Sequence, residues 1–391
     1  MTTSDSATID GLQAALSARA PAMVDELRML VEHETPTGDV THLDALAGVL
    51  TSQWESVGAS VTRHDVAGTG AHLEMSWPGP PGTPADTAPV LLVGHYDTVH
   101  DVGTLQRNPW RIDEEGRAWG PGTQDMKSGL VIARNALAAL GELGRPLLRG
   151  VRALITADEE IGSPTSADLI RDRGRTSSYA LVFEASGSDG ALKTERKGVG
   201  LWSVAVRGRA AHAGQQFFDG VNANVALAGL ILDIAELSDR DAGTTVNVGT
   251  IKGGTRANVV AAHARAAVDV RFTDDGEADR VAAALAALRS PLDVGIALDG
   301  GVNRRAMRRT AATADLFERA RMCAAALGFD LAESSAGGAS DGNLIAADGT
   351  PTLDGMGGVG AGLHTEDEYV RVGSLPQRAA LLAALLASDV G

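Results

Sequence analysis

The chain has 391 residues, 44% of them hydrophobic and only 4% aromatic, with 47 glycines; this exceeds the length over which one core usually grows, so two domains with many tight turns are expected. Its 34 basic and 50 acidic residues give a formal charge of −16, spread along the chain, which argues against nucleic acid or an anionic membrane as partner. A single cysteine, Cys323, leaves no disulfide framework within the chain, and the absence of a basic-apolar leader or an apolar run of membrane-spanning length makes the cytoplasm the expected location.

In chain order, helical spacing of apolar residues predicts a helix over 9–33 and another over 42–56, separated by the turn ThrProThrGlyAsp at 35–39. Strands are expected near 60–64 and 72–77, then a Pro/Gly-rich surface loop at 78–89. The run ValLeuLeuValGlyHisTyrAsp (90–97) reads as a buried strand, followed by a helix at 129–143, a strand at 151–156, a helix at 166–171 and a strand at 179–183. Apolar strands alternating with helices imply an α/β domain whose mostly parallel sheet is covered by helices. In such sheets ligands bind beyond the carboxyl ends of the strands, where His95, Asp97, Glu159, Glu160 and Glu184 fall.

From about residue 198 the pattern changes to strand 201–207, helix 222–237, strands 245–251 and 263–272, helix 275–289 and strand 294–298. That β-α-β-β-α-β order is a ferredoxin-like α+β unit inserted into the first domain. The expected division is a catalytic domain over 1–197 and 304–391, interrupted by an inserted dimerisation, or lid, domain over 198–303. Beyond the insertion a helix at 313–327 holds Cys323 as a buried small hydrophobe.

Several segments carry polar residues suited to chemistry, each with a plainer reading beside it. In GlyHisTyrAspThrVal (94–99), Asp97 either orients His95 as a metal ligand through its second ring nitrogen or caps a turn. In GlyProGlyThrGlnAspMetLysSerGly (120–129), Asp125 either spans two ions with its two oxygens or is an N-cap. ThrAlaAspGluGluIleGlySer (156–163) places three acids at a strand end, where one glutamate can bind metal while its neighbour moves a proton, or where all three form a solvated acidic loop. Glu184 ends the next strand, and His364 stands in GlyLeuHisThrGluAspGlu (362–368). Gly337 and Gly338 either permit a close approach of backbone to substrate or form a flexible turn.

Taken together, HisTyrAspThrVal, GlyProGlyThrGlnAspMetLysSerGly, AspGluGluIleGlySer, AlaHisAlaGly and AsnValVal, in this order over nearly the whole chain, resemble the M20 family of metallopeptidases. This clan includes glutamate carboxypeptidase, succinyl-diaminopimelate desuccinylase, acetylornithine deacetylase and aminoacylase, and the resemblance is nearest to the bacterial glutamate carboxypeptidase branch. It implies two Zn²⁺ per subunit, with Co²⁺ or Mn²⁺ as alternatives. His95, Asp125 and Glu184 would hold one ion, and Asp125, Glu160 and His364 the other. The resemblance also implies Glu159 as general acid/base, Asp97 as the carboxylate behind His95, and His212 as a histidine that reaches the partner subunit's site in a homodimer. Asn258 would contact substrate, and Arg271 would receive its terminal carboxylate. The activity implied is cleavage of an amide or peptide bond beside an amino acid with a free carboxylate, in a small peptide or N-acyl amino acid. An N-acyl-amino-acid deacylase, an amide-forming transferase and a noncatalytic metal-binding scaffold are the alternatives.

The chain departs from the family pattern at two places. GlnPhePheAspGly (216–220) stands where a Pro-Glu pair is usual, and Ala261 where a proline is usual. Both leave every proposed ligand intact and bear on the substrate side chain. The paired Phe217 and Phe218 either add an apolar surface near the site or pack the domain.

Overall fold

The computed structural model describes residues 3–84 and 86–387, with side chains from residue 11 onward. The chain divides into two compact units, one made of residues 1–195, 309–335 and 340–391, the other of 196–308 and 336–339. The first unit is thus discontinuous in sequence.

Its central sheet has six strands in the order Ser60–His64, His72–Trp77, Val151–Thr156, Val90–His95, Tyr179–Val182 and Thr352–Leu353. Pairing is parallel from Val151–Thr156 through to Thr352–Leu353, whereas His72–Trp77 runs antiparallel to both of its neighbours. All six residues of Val90–His95 are buried, because both faces of this strand are covered. On one face Leu92, Ala153 and Leu181 pack with the helices Ser128–Glu142 and Ser374–Ala387. Leu91, Val93, Leu154 and Val182 point to the other face, against Ile170, Leu344 and Ile345 of the helices Ala167–Arg175 and Asp341–Ala347. The period of two along each strand divides its side chains between these two layers. The α/β architecture with helix-covered faces agrees with the sequence expectation.

The helix expected over 9–33 is two helices, Thr3–Ala18 and Ala20–Glu32. Pro21 lies in the first turn of the second, where its missing N–H costs nothing, whereas its ring could not continue the first helix. Cys323 is buried in the helix Ala311–Ala326.

The second unit is a four-stranded antiparallel sheet in the order Thr245–Gly253, His263–Phe272, Gly198–Arg207, Gly295–Arg304. The helices Ala223–Ala235 and Asp275–Ala286 cover one face, burying Leu227, Leu230, Val281 and Leu285 against Val204, Val206, Val268 and Val270. This is the ferredoxin-like arrangement. The last strand runs well past the expected residue 298, because Gly300 and Gly301 break the apolar alternation while pairing with Leu201 and Trp202 continues. Among the described residues no helix is long and apolar enough to cross a membrane.

Candidate dinuclear metal site

The residues singled out in the first unit converge where parallel strands end. His95 closes its strand, and Glu159 and Glu160 begin a short 3₁₀ turn just beyond Val151–Thr156. Glu184 lies two residues past Tyr179–Val182. Asp125 sits in the turn Thr123–Lys127 that leads directly into the helix Ser128–Glu142, and the Asp125–Met126 peptide is cis. A Cβ on Gly129 would lie 2.3 Å from the Phe183 carbonyl oxygen, so only glycine lets this helix approach the strand that carries Glu184 so closely.

Asp125 stands between the two histidines. Its Oδ1 is 3.3 Å from His95 Nε2, and its Oδ2 is 3.1 Å from His364 Nε2. Glu184 Oε1 lies 3.5 Å from His95 Nε2, and Glu160 Oε2 3.3 Å from His364 Nε2. Ligand atoms of His95, Glu159 and Glu184, and likewise of His95, Asp125 and Glu160, fall within 4.8 Å of one another. His364 adopts a left-handed backbone with φ of 62°, a conformation that costs a non-glycine residue about 1 kcal/mol and is typical of functional positions.

Asp97 is fully buried and ties three segments together. Its Oδ2 accepts from Thr37 Oγ1 at 2.8 Å and from the Glu160 N–H at 3.2 Å, and its Oδ1 accepts from the Glu159 N–H at 3.2 Å. His95 Nδ1 is 3.0 Å from the Asp97 carbonyl oxygen and 3.3 Å from its Oδ1. Both neighbours are acceptors, so Nδ1 carries a proton, and Nε2 faces the carboxylate oxygens of Asp125 and Glu184. Asp158 does not join this cluster; its carboxylate turns inward and accepts from the N–H and hydroxyl groups of Thr165 and Ser166.

The electrostatics show what such a cluster requires. Burial lowers the pKa of His95, but the carboxylates of Asp125, Asp97 and Glu184 outweigh it and raise His95 well above the imidazole range. Asp125, although burial raises it, is held far below the carboxylate range by His364 and His95. Glu160 is raised, chiefly by burial and further by Asp125. His364 is pushed up to about 11 by Asp125 and Glu160. His95 Nε2 and Glu160 Oε1 are buried without a hydrogen-bond partner, and carboxylates gathered this closely repel one another unless a cation stands between them. Two imidazoles and several carboxylates around two orphaned donor atoms fit a pair of divalent ions of the zinc type.

One carboxylate at the site escaped the sequence reading. Glu368 is wholly buried and accepts from the backbone N–H groups of Gly122, Gln124 and Asp125 at 3.0, 2.7 and 2.9 Å, and pairs with His100 Nε2 at 3.0 Å. It anchors the loop that presents Asp125. Its signal in the sequence was limited to a position four residues after His364.

The remaining singled-out residues belong to the second unit. His212 Nδ1 accepts from the N–H groups of Gly214 and Gln215, each at 3.1 Å, so its proton sits on Nε2 and makes that atom a donor. The Asn258 carbonyl oxygen accepts from the Ala213 N–H at 3.0 Å, placing Asn258 beside the His212 loop. Arg271 is bidentate to Asp269, with Nε to Oδ1 at 2.7 Å and Nη2 to Oδ2 at 2.8 Å. Gly338 contributes its carbonyl oxygen to Arg196 Nη1 at 3.0 Å. Phe217 and Phe218 form an edge-on pair and are 51% and 95% exposed, so Phe218 does not pack the domain.

A discontinuous α/β unit that gathers two histidines and several carboxylates at its strand ends has the make-up of a metal-dependent hydrolase with a candidate dinuclear centre. The model of peptidase family M20/M25/M40 matches residues 91–388, and the chain belongs to that family. Carboxypeptidase G2 of Pseudomonas sp. (strain RS-16) is 31% identical over 381 residues, covering 95% of this chain and 90% of that protein. Succinyl-diaminopimelate desuccinylase of Methylorubrum extorquens (strain PA1) is 29% identical over 345 residues, covering 78% and 86%. The crystal structure of aminopeptidase PepT from Bacillus cereus ATCC 10987 superposes with a TM-score of 0.76 at 26% identity, covering 94% of this chain and 98% of that one. The protein is therefore a metal-dependent hydrolase, and the noncatalytic scaffold is set aside.

Proposed function

We propose that the protein is a cytoplasmic homodimeric hydrolase that cleaves the amide or peptide bond beside an amino acid with a free carboxylate, as a glutamate carboxypeptidase does. The observation that carries this reading is the Asp269–Arg271 pair. Asp269 engages only the Nε/Nη2 side of the guanidinium, which leaves the Nη1/Nη2 end as a second, preoriented fork of the shape a carboxylate binds. Similarity to carboxypeptidase G2 over nearly the full length supports the same substrate class.

In this reading His95, Asp125 and Glu184 hold one ion, and Asp125, Glu160 and His364 the other. Bound there, two divalent ions supply Lewis acidity toward the scissile carbonyl and acidify the attacking water. Glu159 takes that water's proton and hands it to the departing amine. Asp97 keeps His95 in its Nδ1–H tautomer and, through the Glu159 and Glu160 N–H groups, fixes the turn that presents both glutamates. His212 donates from Nε2 to the developing oxyanion, with Asn258 beside it, and Gly338 lies in the substrate-facing loop.

His212 and Arg271 are not placed to serve one small substrate from the same lid. Arg271 pairs with Val199 at one end of the sheet and His263 with Arg207 at the other, roughly 26 Å away along the strand, and His212 lies beyond that second end, bridged to Val259. We therefore assign His212 to the partner's site and the inserted unit to dimerisation. Val225, Leu232 and Ile251, on a helix and an edge strand of that unit, are 60%, 69% and 59% exposed and offer an apolar surface for self-association.

A second reading, an N-acyl-amino-acid deacylase acting on an apolar acyl group, is favoured by the exposure of Phe218 on the His212 loop. The deciding measurement is turnover by the metal-loaded enzyme of dipeptides and N-acyl amino acids, each beside its carboxylate-blocked amide, with Glu159→Ala as control. Blocking should lower kcat/KM by roughly a hundredfold, and Arg271→Gln should impose the same loss on free substrates only. Equal turnover of free and blocked substrates would remove Arg271 as the anchor, and the preferred acyl group separates peptidase from deacylase.

A further inference from the structure

The lid sheet is covered by helices on one face only, and at the end remote from Arg271 its open face carries a cluster of nitrogen-bearing side chains. Arg207 ends the strand Gly198–Arg207, His263 and Arg265 begin the next strand in the sheet, and Lys252 lies near the end of the edge strand Thr245–Gly253. The register sets His263 directly opposite Arg207, and Lys252 directly opposite Arg265. All four are exposed. They line a hollow of about 670 Å³ to which no acidic residue contributes. Its depth comes from small residues in the same rows: Ala205 and Ala297 continue the Arg265 row, and Gly295 the Arg207 row.

Among the described residues Arg207, Lys252 and Arg265 form no ion pair; Arg265 Nε donates to Ser203 Oγ at 2.8 Å. Acidic residues outnumber basic ones 50 to 34 in this chain, so a solvated surface would be expected to interleave acids among these bases. Like charges directly across a strand pair work against the sheet, and here they are left uncompensated over a concave, small-residue floor. Two guanidinium forks, an ammonium and an imidazole around one hollow are the donor set of an oxyanion site.

We propose that this hollow binds a small anion carrying at least two negative charges, of the phosphate or oligocarboxylate class. The site uses none of the residues assigned to hydrolysis, and it stands or falls independently of the substrate.

Calorimetric titration of the metal-loaded protein tests it, with inorganic phosphate in one arm and triglutamate of D-residues, which resists cleavage, in the other. Each arm is run on wild type, on Arg265→Gln/Lys252→Gln, and on Arg207→Gln alone. The expected result is saturable binding of at least one probe, weakened about tenfold or more in the double variant and weakened also by added sodium chloride. Without either probe the double variant should melt no lower than wild type, since it removes an opposed like-charge pair. Binding of phosphate alone identifies a phosphoryl ligand and of triglutamate alone an acidic peptide, and either supports the site. Titrations identical in wild type and both variants, whether with or without heat, overturn it.

Discussion

At the scale of single residues, the candidate metal site sets opposed charges against burial. His95 and His364 stand among carboxylates that raise both imidazoles above their ordinary range, His364 to about 11. Divalent ions bind the neutral imidazole, so uptake must expel the protons these rings hold. Zinc binding near pH 7 should therefore release protons, seen as a calorimetric enthalpy that varies with the ionisation enthalpy of the buffer, and affinity should fall as the pH is lowered. A buffer-independent enthalpy would contradict this charge state. The proposed ligands could be picked out as candidates because each sits in a segment whose strand, turn or glycine pattern shows in the sequence. Glu368 was not, because its role consists of accepting three backbone N–H groups, and nothing in local residue order reports where distant backbone points. The pairing of Asp269 with Arg271 lay two residues apart in plain view, yet a strand's alternation shows only that they share a face.

At the scale of elements, legibility followed an unbroken side-chain pattern. Strands such as His72–Trp77, Val151–Thr156 and His263–Phe272 were located to their ends, Gly295–Arg304 was lost where glycines break its alternation, and pairs such as Gly360–Ala361 and Arg111–Ile112 are too short to show a period. These short strands frame the loops that present Asp125 and His364. The glycine-rich loop before the helix Ser128–Glu142 is held from outside, by Glu368, rather than by its own composition. Glu368→Ala should weaken zinc binding about 10- to 100-fold in competition with a chelating indicator, with Glu368→Gln retaining part of it because one oxygen still accepts. Unchanged affinity in the alanine variant would show that the loop keeps its shape unaided.

At the scale of the whole molecule, the assignment of His212 to a partner's site has a direct genetic consequence. His212→Ala and Glu159→Ala, each inactive alone, should restore activity when unfolded and refolded as an equal mixture, to roughly a quarter of the wild-type rate, because half the dimers then contain one intact site. No recovery, with dimers shown to exchange, would return His212 to its own subunit's site. The two-unit division was visible as a change from alternating strand and helix to the β-α-β-β-α-β order. The return of residues 336–339 to the second unit was not visible, since four residues between two short elements carry no periodic signal.

The discontinuity of the first unit also sets a timetable. A ribosome makes His95, Asp125, Glu160 and Glu184, then the entire inserted unit, and only afterwards His364 and Glu368. During synthesis the inserted unit has every strand it needs and is able to fold as a complete body, while the catalytic sheet still lacks Thr352–Leu353 and the helix Ser374–Ala387. The nascent chain thus holds a half-finished centre, with neither its second imidazole nor the clamp on the Asp125 loop. The candidate cluster, which draws on residues from both sides of the insertion, is complete only when the last segment has been made.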